Sequence, residues 1–202
     1  SYMDLTKPIG NLKEALRLGK ENKKSFIQLK TRGAPELFDE EGGKINIAFA
    51  NKVGGTHRVK LRFTDGQTNG MVMIFGRAGG GNLDSWCKLA SNEKFHAYGL
   101  FNDDWNGVVS INYPEHIKKS EVNRIVPRYS GKEKIITPFR IASKIQNGLL
   151  EFADQTSQYI CDTLSMDEEQ GIKASKINFK TFKEFILMIH RPKTTEDIVR
   201  VT

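Results

Sequence analysis

His57-Arg58-Val59-Lys60-Leu61-Arg62-Phe63 alternates cationic with apolar side chains along one short run. A period of two belongs to a β-strand, where successive side chains point to opposite faces. Val59, Leu61 and Phe63 are therefore expected to face a core, with Arg58, Lys60 and Arg62 in a row on the other side. Outward from this run, segments of the same grammar lie at 25–30, 44–50, 71–75, 95–101 and 108–113, parted by glycine, asparagine and aspartate clusters. Six short strands joined by turns predict a mainly antiparallel sheet.

Two connections match each other: Phe63-Thr64-Asp65 leading to Asn69-Gly70, and Phe101-Asn102-Asp103 leading to Asn106-Gly107. Asn-Gly supplies the positive φ of a tight hairpin, so both are expected to turn there; shared hairpin grammar explains the match better than internal duplication. Between them, a glycine loop at 76–81 precedes a helix over 82–90 with Leu83, Trp86 and Leu89 on one face.

Before the strands, Asn11 caps a short helix that Gly19 is expected to stop, followed by a basic tail at 20–24. The opening Ser1-Tyr2 reads as an addition ahead of a natural start at Met3. After the strands, residues 114–131 read as a polar arm holding one helix at 115–125, then a last strand at 134–141. The series Ile141, Ile145, Leu149, Phe152, Thr156 and Ile160 keeps helical steps and predicts one long helix, which must absorb Gly148. An acidic break at 167–169 precedes a second helix at 181–190, apolar nearly all round, which needs a cover from the core or from another subunit.

The chain of 202 residues carries 31 lysines and arginines against 24 acidic residues, a formal charge of +7. Residues 1–60 hold 12 basic and 7 acidic groups, so the surplus is concentrated in the N-terminal third. Such a balance favours an anionic partner. No apolar run approaches the roughly 20 residues of a membrane-spanning helix. Two cysteines, Cys87 and Cys161, are too sparse for a disulfide scaffold, and no signal-peptide pattern precedes them. Reduced thiols and an intracellular location, cytoplasmic or with nucleoid or nucleus, are the expectation.

The row Arg58, Lys60 and Arg62 sets charges about 7 Å apart, close to the phosphate repeat of an extended strand. Phe26, Gln28 and Lys30 share one face of the preceding strand, and Arg32 follows. Basic sheet faces dotted with aromatic rings are how OB-type binders hold single strands, although the same alternation suits a plain solvated face. Tyr98, Trp105 and Tyr113 are the candidate stacking rings, and Arg77 a phosphate ligand on the glycine loop. That loop lacks the lysine and hydroxyl residue of a nucleotide P-loop, since Asn82-Leu83 stands in their place.

His57, His96, His116 and His190 show no metal-ligand spacing, and a Cys87–His96 pair lacks a marked third member. The carboxylate clusters at 39–41, 103–104 and 167–169 could bind magnesium only if folding joined them. No cofactor is implied.

The fold expected is α+β: a mainly antiparallel sheet or small, OB-like barrel over 25–141, with a helix and basic tail at 1–24, one inserted helix, and two C-terminal helices over 142–202 packed on it as one domain. The function expected is non-catalytic binding of single-stranded DNA or RNA with low sequence specificity, through Lys30, Arg32, Arg58, Lys60, Arg62, Arg77, Tyr98, Trp105 and Tyr113. Two alternatives stand beside it: a self-assembling protein of viral matrix or coat type, forming homo-oligomers through its C-terminal helices, and a metal-dependent enzyme acting on nucleic acid.

Overall fold

In a computed structural model that describes residues 1–46, 55–77, 81–104, 107–130 and 138–202, the chain opens with strand β1 (Tyr2–Asp4) and helix α1 (Leu12–Lys20). There follow β2 (Ser25–Thr31), β3 (Glu36–Phe38), β4 (Lys44–Ile45), β5 (Thr56–Thr64) and β6 (Asn69–Arg77). Helix α2 (Gly81–Cys87) leads to β7 (Lys94–Asp103), β8 (Val109–Ile117) and β9 (Ile125–Pro127). The remainder is helical: α3 (Pro138–Lys144), α4 (Ala153–Leu164), α5 (Glu168–Ser175), α6 (Phe182–His190) and α7 (Thr195–Val201). Two units emerge, residues 7–122 and residues 1–6 with 123–202, whose bounds do not coincide with the divisions at 24 and 141 drawn from sequence.

The first unit is a closed five-strand barrel in the cyclic order β2–β7–β8–β6–β5, with β5 returning to β2 through Lys30↔Thr64 and Thr31↔Phe63. All barrel pairings are antiparallel except β6 with β8. Counting barrel strands alone, the order is 1-2-3-5-4 with a helix between the third and fourth, an OB-like Greek-key closure. Period-two patterning drives it: His57, Val59, Leu61 and Phe63 of β5 are buried, as are Val72 and Ile74 of β6, Phe95, Ala97 and Phe101 of β7, and Val109 and Ile111 of β8. Helix α1 adds Leu12 and Ala15 to this core, and α2 adds Leu83 and the fully buried Trp86. The β3–β4 hairpin extends the sheet from β5 through Leu37↔Val59.

The second unit pairs β1 with β9 in antiparallel register, Tyr2↔Pro127 to Asp4↔Ile125, and buries Met3, Leu5, Ile125, Leu150, Ala153, Phe179, Phe182 and Ile186. Tyr2, set aside on sequence, is thus a strand residue, and its hydroxyl donates to the Ile189 carbonyl at 2.8 Å.

Several other expectations are corrected. The expected arm at 114–131 carries no helix at 115–125: β8 passes through Pro114 to Ile117, a single 3₁₀ turn follows at Lys119–Glu121, and β9 forms beyond it. Of the strand expected at 134–141, residues 138–141 are helical, with Pro138 as the first residue of α3 where its missing N–H costs nothing; residues 134–137 lie outside the described ones. Of the strand expected at 44–50, β4 covers Lys44–Ile45 and Asn46 lies outside it, while 47–50 are not among the described residues. The long helix is interrupted by a π-helical turn at Ile145–Leu149 that contains Gly148. Its apolar stripe is re-phased, burying Leu150 and Ala153 and leaving Phe152 51% exposed. The acidic break proves to be a helix start, with Asp167 accepting from the Gln170 N–H at 2.8 Å to cap α5. A Thr194–Asp197 capping box starts α7, so more than two helices follow residue 142.

Candidate nucleic-acid interface

β5 places Arg58, Lys60 and Arg62 on the outside of the barrel because their neighbours Val59, Leu61 and Phe63 are drawn inside. The register with β6 sets Arg58 opposite Phe75, Lys60 opposite Met73 and Arg62 opposite Met71. Cations therefore run beside an apolar row, in which Phe75 is 64% exposed. Arg77 continues this outer row of β6 opposite Thr56. From the other side, β3 sets Phe38 against Arg58 and Glu36 against Lys60. Glu36 pairs with Lys44 at 3.4 Å and reaches Arg62 at 3.8 Å, so it neutralises part of the row.

Where β2 closes onto β5, Lys30, Arg32 and Arg62 line a groove of about 660 Å³ with Thr31, Gly33, Thr64, Gly66, Ser91 and Asn92. The Arg32 N–H donates to the Arg62 carbonyl at 2.8 Å, which fixes the two arginines side by side along the backbone. Thr31, buried between them and the opposite wall, donates through Oγ1 to the Ala90 carbonyl and accepts from the Glu93 N–H, at 2.6 and 2.8 Å. These bonds hold the wall carrying Ser91 and Asn92. The lining offers cations, hydroxyls and amides, with no carboxylate, imidazole or thiol among the described residues. Such a groove suits a phosphate.

The expected face of β2 is only partly open: Gln28 is exposed, but Phe26 is buried against His96, ring centroids 5.3 Å apart. Tyr98 and Tyr113 do not join the β5–β6 face. They lie on β7 and β8, where Lys24 Nζ stands 5.9 Å from the Tyr98 ring centre and 5.4 Å from that of Tyr113. Tyr113 is 73% exposed and has φ +54°, alone among the aromatic residues described. A bulky residue there stores about 1–3 kcal/mol of strain, more than the roughly 0.5–1 kcal/mol of an exposed cation–π contact. Trp105 and most of the glycine loop, residues 78–80, are outside the described residues.

Sequence reasoning missed Phe75, although its signal was present: with Val72 and Ile74 inward, period two alone turns Phe75 outward. It also left Lys24 unassigned within the basic tail.

Several of the groups considered for catalysis take part in packing or turn contacts. Burial, assisted by Asp84, pushes the Cys87 thiol up to about 11, far from a thiolate at neutral pH. His96 and His116 are lowered by burial, and the His116 ring lies tilted against Trp86 with centroids 5.5 Å apart. Asp39 ties the β3–β4 turn through the Gly43 N–H, Glu40 accepts from the Thr56 N–H, and Asp104 accepts from the Val108 N–H. Among the described residues no three His, Cys, Asp or Glu side chains converge as metal ligands. No described helix is long and apolar enough to cross a membrane.

No family model matches the chain, and no curated protein matches it. Among solved structures, the chain resembles the structure of RecG bound to a three-way DNA junction, with a TM-score of 0.61 and 17% sequence identity. The match covers 100% of this chain and 24% of that one, so the chain spans about a quarter of the protein whose fold it shares there.

Proposed function

We propose that the chain binds single-stranded nucleic acid, with little sequence preference, on the outer face of β5 and β6 and in the groove beside it. The observation that carries this reading is the β5–β6 register, which runs Arg58, Lys60 and Arg62 alongside Phe75, Met73 and Met71. Cations match backbone phosphates and an open ring gives a base a stacking platform, an arrangement indifferent to base identity. Lys30 and Arg32 extend the charge into the groove, and Arg77 extends it at the other end. The resemblance in fold to a protein solved on a DNA junction supports the same ligand class. The proposed role is binding without chemistry; among the described residues the groove is lined by cations, hydroxyls and amides, with no carboxylate, imidazole or thiol.

The test is a fluorescence-anisotropy titration of labelled single-stranded DNA, its RNA counterpart, duplex and three-way junction at two salt concentrations. Tighter, salt-sensitive binding of substrates with unpaired strands supports the reading; no binding at low salt refutes it.

A second reading, homo-oligomerisation through the C-terminal helices, draws on a different observation. Phe152 and Tyr159, seven residues apart along the helical segment, are 51% and 70% exposed, with Leu164 and Met166 also open. Sedimentation over a range of concentrations tests it: a constant monomer excludes this role for the helices.

A further inference from the structure

Tyr113 sits where β8 bulges. Tyr98 pairs with Glu115 and Leu100 with Asn112, so Tyr113 and Pro114 together oppose the single residue Gly99. A Cβ on Gly99 would come within 2.5 Å of the Ile111 side chain and 3.0 Å of the Asn112 carbonyl, so glycine is what lets the strands close over the bulge. Bulges re-aim side chains, and the first residue of this type is ordinarily glycine because its φ is positive. Here a tyrosine occupies that conformation and its ring is turned into solvent. Lys24, entering β2, and Tyr98, on the outer side of β7, complete a patch drawn from three separate stretches of chain.

We infer that Lys24, Tyr98 and Tyr113 form a second nucleotide-binding locus on the barrel, which stacks an unpaired base on Tyr113 and receives its phosphate on Lys24. The inference rests on the reading that nucleic acid is the ligand, and adds a locus on a different sector. Around the barrel, β7 is separated from β5 by β2 in one direction and by β8 and β6 in the other. Tyr113 itself is on β8, which neighbours β6 and pairs with it at Gly70↔Val109, so a strand lying along β5 and β6 reaches it by crossing onto β8 or by diverging into a second arm. The exposed tyrosine face suits a base, since stacking needs one open ring surface, and the ammonium beside it suits the attached phosphate.

The conformation supplies its own test. Tyr113→Gly removes the ring and relieves the positive φ, so stability and binding should move in opposite directions. The melting temperature of the full chain is expected to hold or rise by about 2–4 °C. Affinity for a fluorescein-labelled oligothymidylate of about 20 nucleotides, longer than one OB site, is expected to fall about 5- to 100-fold. Tyr113→Phe keeps the ring and should bind as the parent does; Lys24→Gln should weaken binding and lower its salt dependence. A folded Tyr113→Gly protein that binds with parental affinity overturns the locus, while charge reversal at Arg58, Lys60 and Arg62 shows separately whether the β5–β6 face stands. A parent protein that binds no oligonucleotide overturns both.

Discussion

On the proposed reading, Phe75 is worth more to a ligand than to the barrel. Its ring is 64% exposed opposite Arg58, so truncation removes little packing. Phe75→Ala is expected to cost about 1–3 kcal/mol of single-strand binding with the melting temperature unchanged; isothermal titration and thermal melts on one preparation check both. Glu36 works against the same face by pairing with Lys44 and approaching Arg62. Removing one negative charge about 7 Å from a bound phosphate in water is worth about 0.6 kcal/mol, so Glu36→Gln is expected to tighten binding about two- to threefold at low salt. An unchanged or weaker affinity would show that Glu36 serves the face by orienting Arg62. The cations were legible in the sequence because alternation betrays which side a residue takes. Phe75 was not picked out, although the same alternation, with Val72 and Ile74 inward, turns it outward.

At the scale of elements, α1 shows how a correct boundary can rest on the wrong cause. Gly19 lies within the helix, which ends at Lys20; a Cβ there would fall on the carbonyl of Phe101. Gly19 is thus a point of close approach between α1 and β7. Gly19→Ala is expected to destabilise the barrel by about 1–3 kcal/mol through overpacking, despite its better helix propensity, and urea unfolding followed by far-UV circular dichroism measures it. The barrel strands were legible because each has one buried face, which writes a strict period of two. Turn chemistry was less so: Asp65, Gly66, Gln67 and Thr68 make the β5–β6 turn, and Asn69-Gly70 already belongs to β6. Asp65 fixes that turn by accepting from the Gln67 and Thr68 N–H groups, and also from the Leu12 N–H at the start of α1, at 2.8 Å. These backbone bonds outweigh burial and lower its carboxyl pKa. In the C-terminal helices the π-helical turn shifts the buried stripe by one residue, a rephasing that an unbroken period of 3.6 cannot express.

At the scale of the whole molecule, three half-buried histidines, His96, His116 and His190, are expected to weaken the fold on the acid side. Burial lowers His96, His116 and His190 from the ordinary value of 6.5; for His116 a contribution from His96 acts the same way and Glu93 opposes it. A lowered histidine stays neutral in the folded state while the unfolded chain takes up a proton. Stability is therefore full above pH 6.5 and falls as pH drops through that value toward the lower folded pKa values. Melting temperatures between pH 7.5 and 5 are expected to decline on the acid side, with a shallower decline for His116→Phe, which keeps a ring against Trp86 and Phe95. A flat profile would contradict the assignment. The OB-like barrel was among the expectations from sequence, but the choice between it and an open sheet, and the strand order, turn on a short β2–β5 contact, Lys30↔Thr64 and Thr31↔Phe63, that joins residues far apart in the chain. That closure also assembles the groove, by bringing Lys30 and Arg32 to Arg62.

The central claim is that the β5 cation row binds the phosphates of a nucleic-acid strand, and its most direct measurement is the salt dependence of single-strand affinity for the parent and for Arg58→Gln/Lys60→Gln/Arg62→Gln. Neutralising about five phosphates gives a log–log slope of about −3.5, and losing three contacts flattens it by about 2. The account predicts that flattening together with weaker binding in a triple variant that melts like the parent. An unchanged slope and affinity in the folded variant would contradict it.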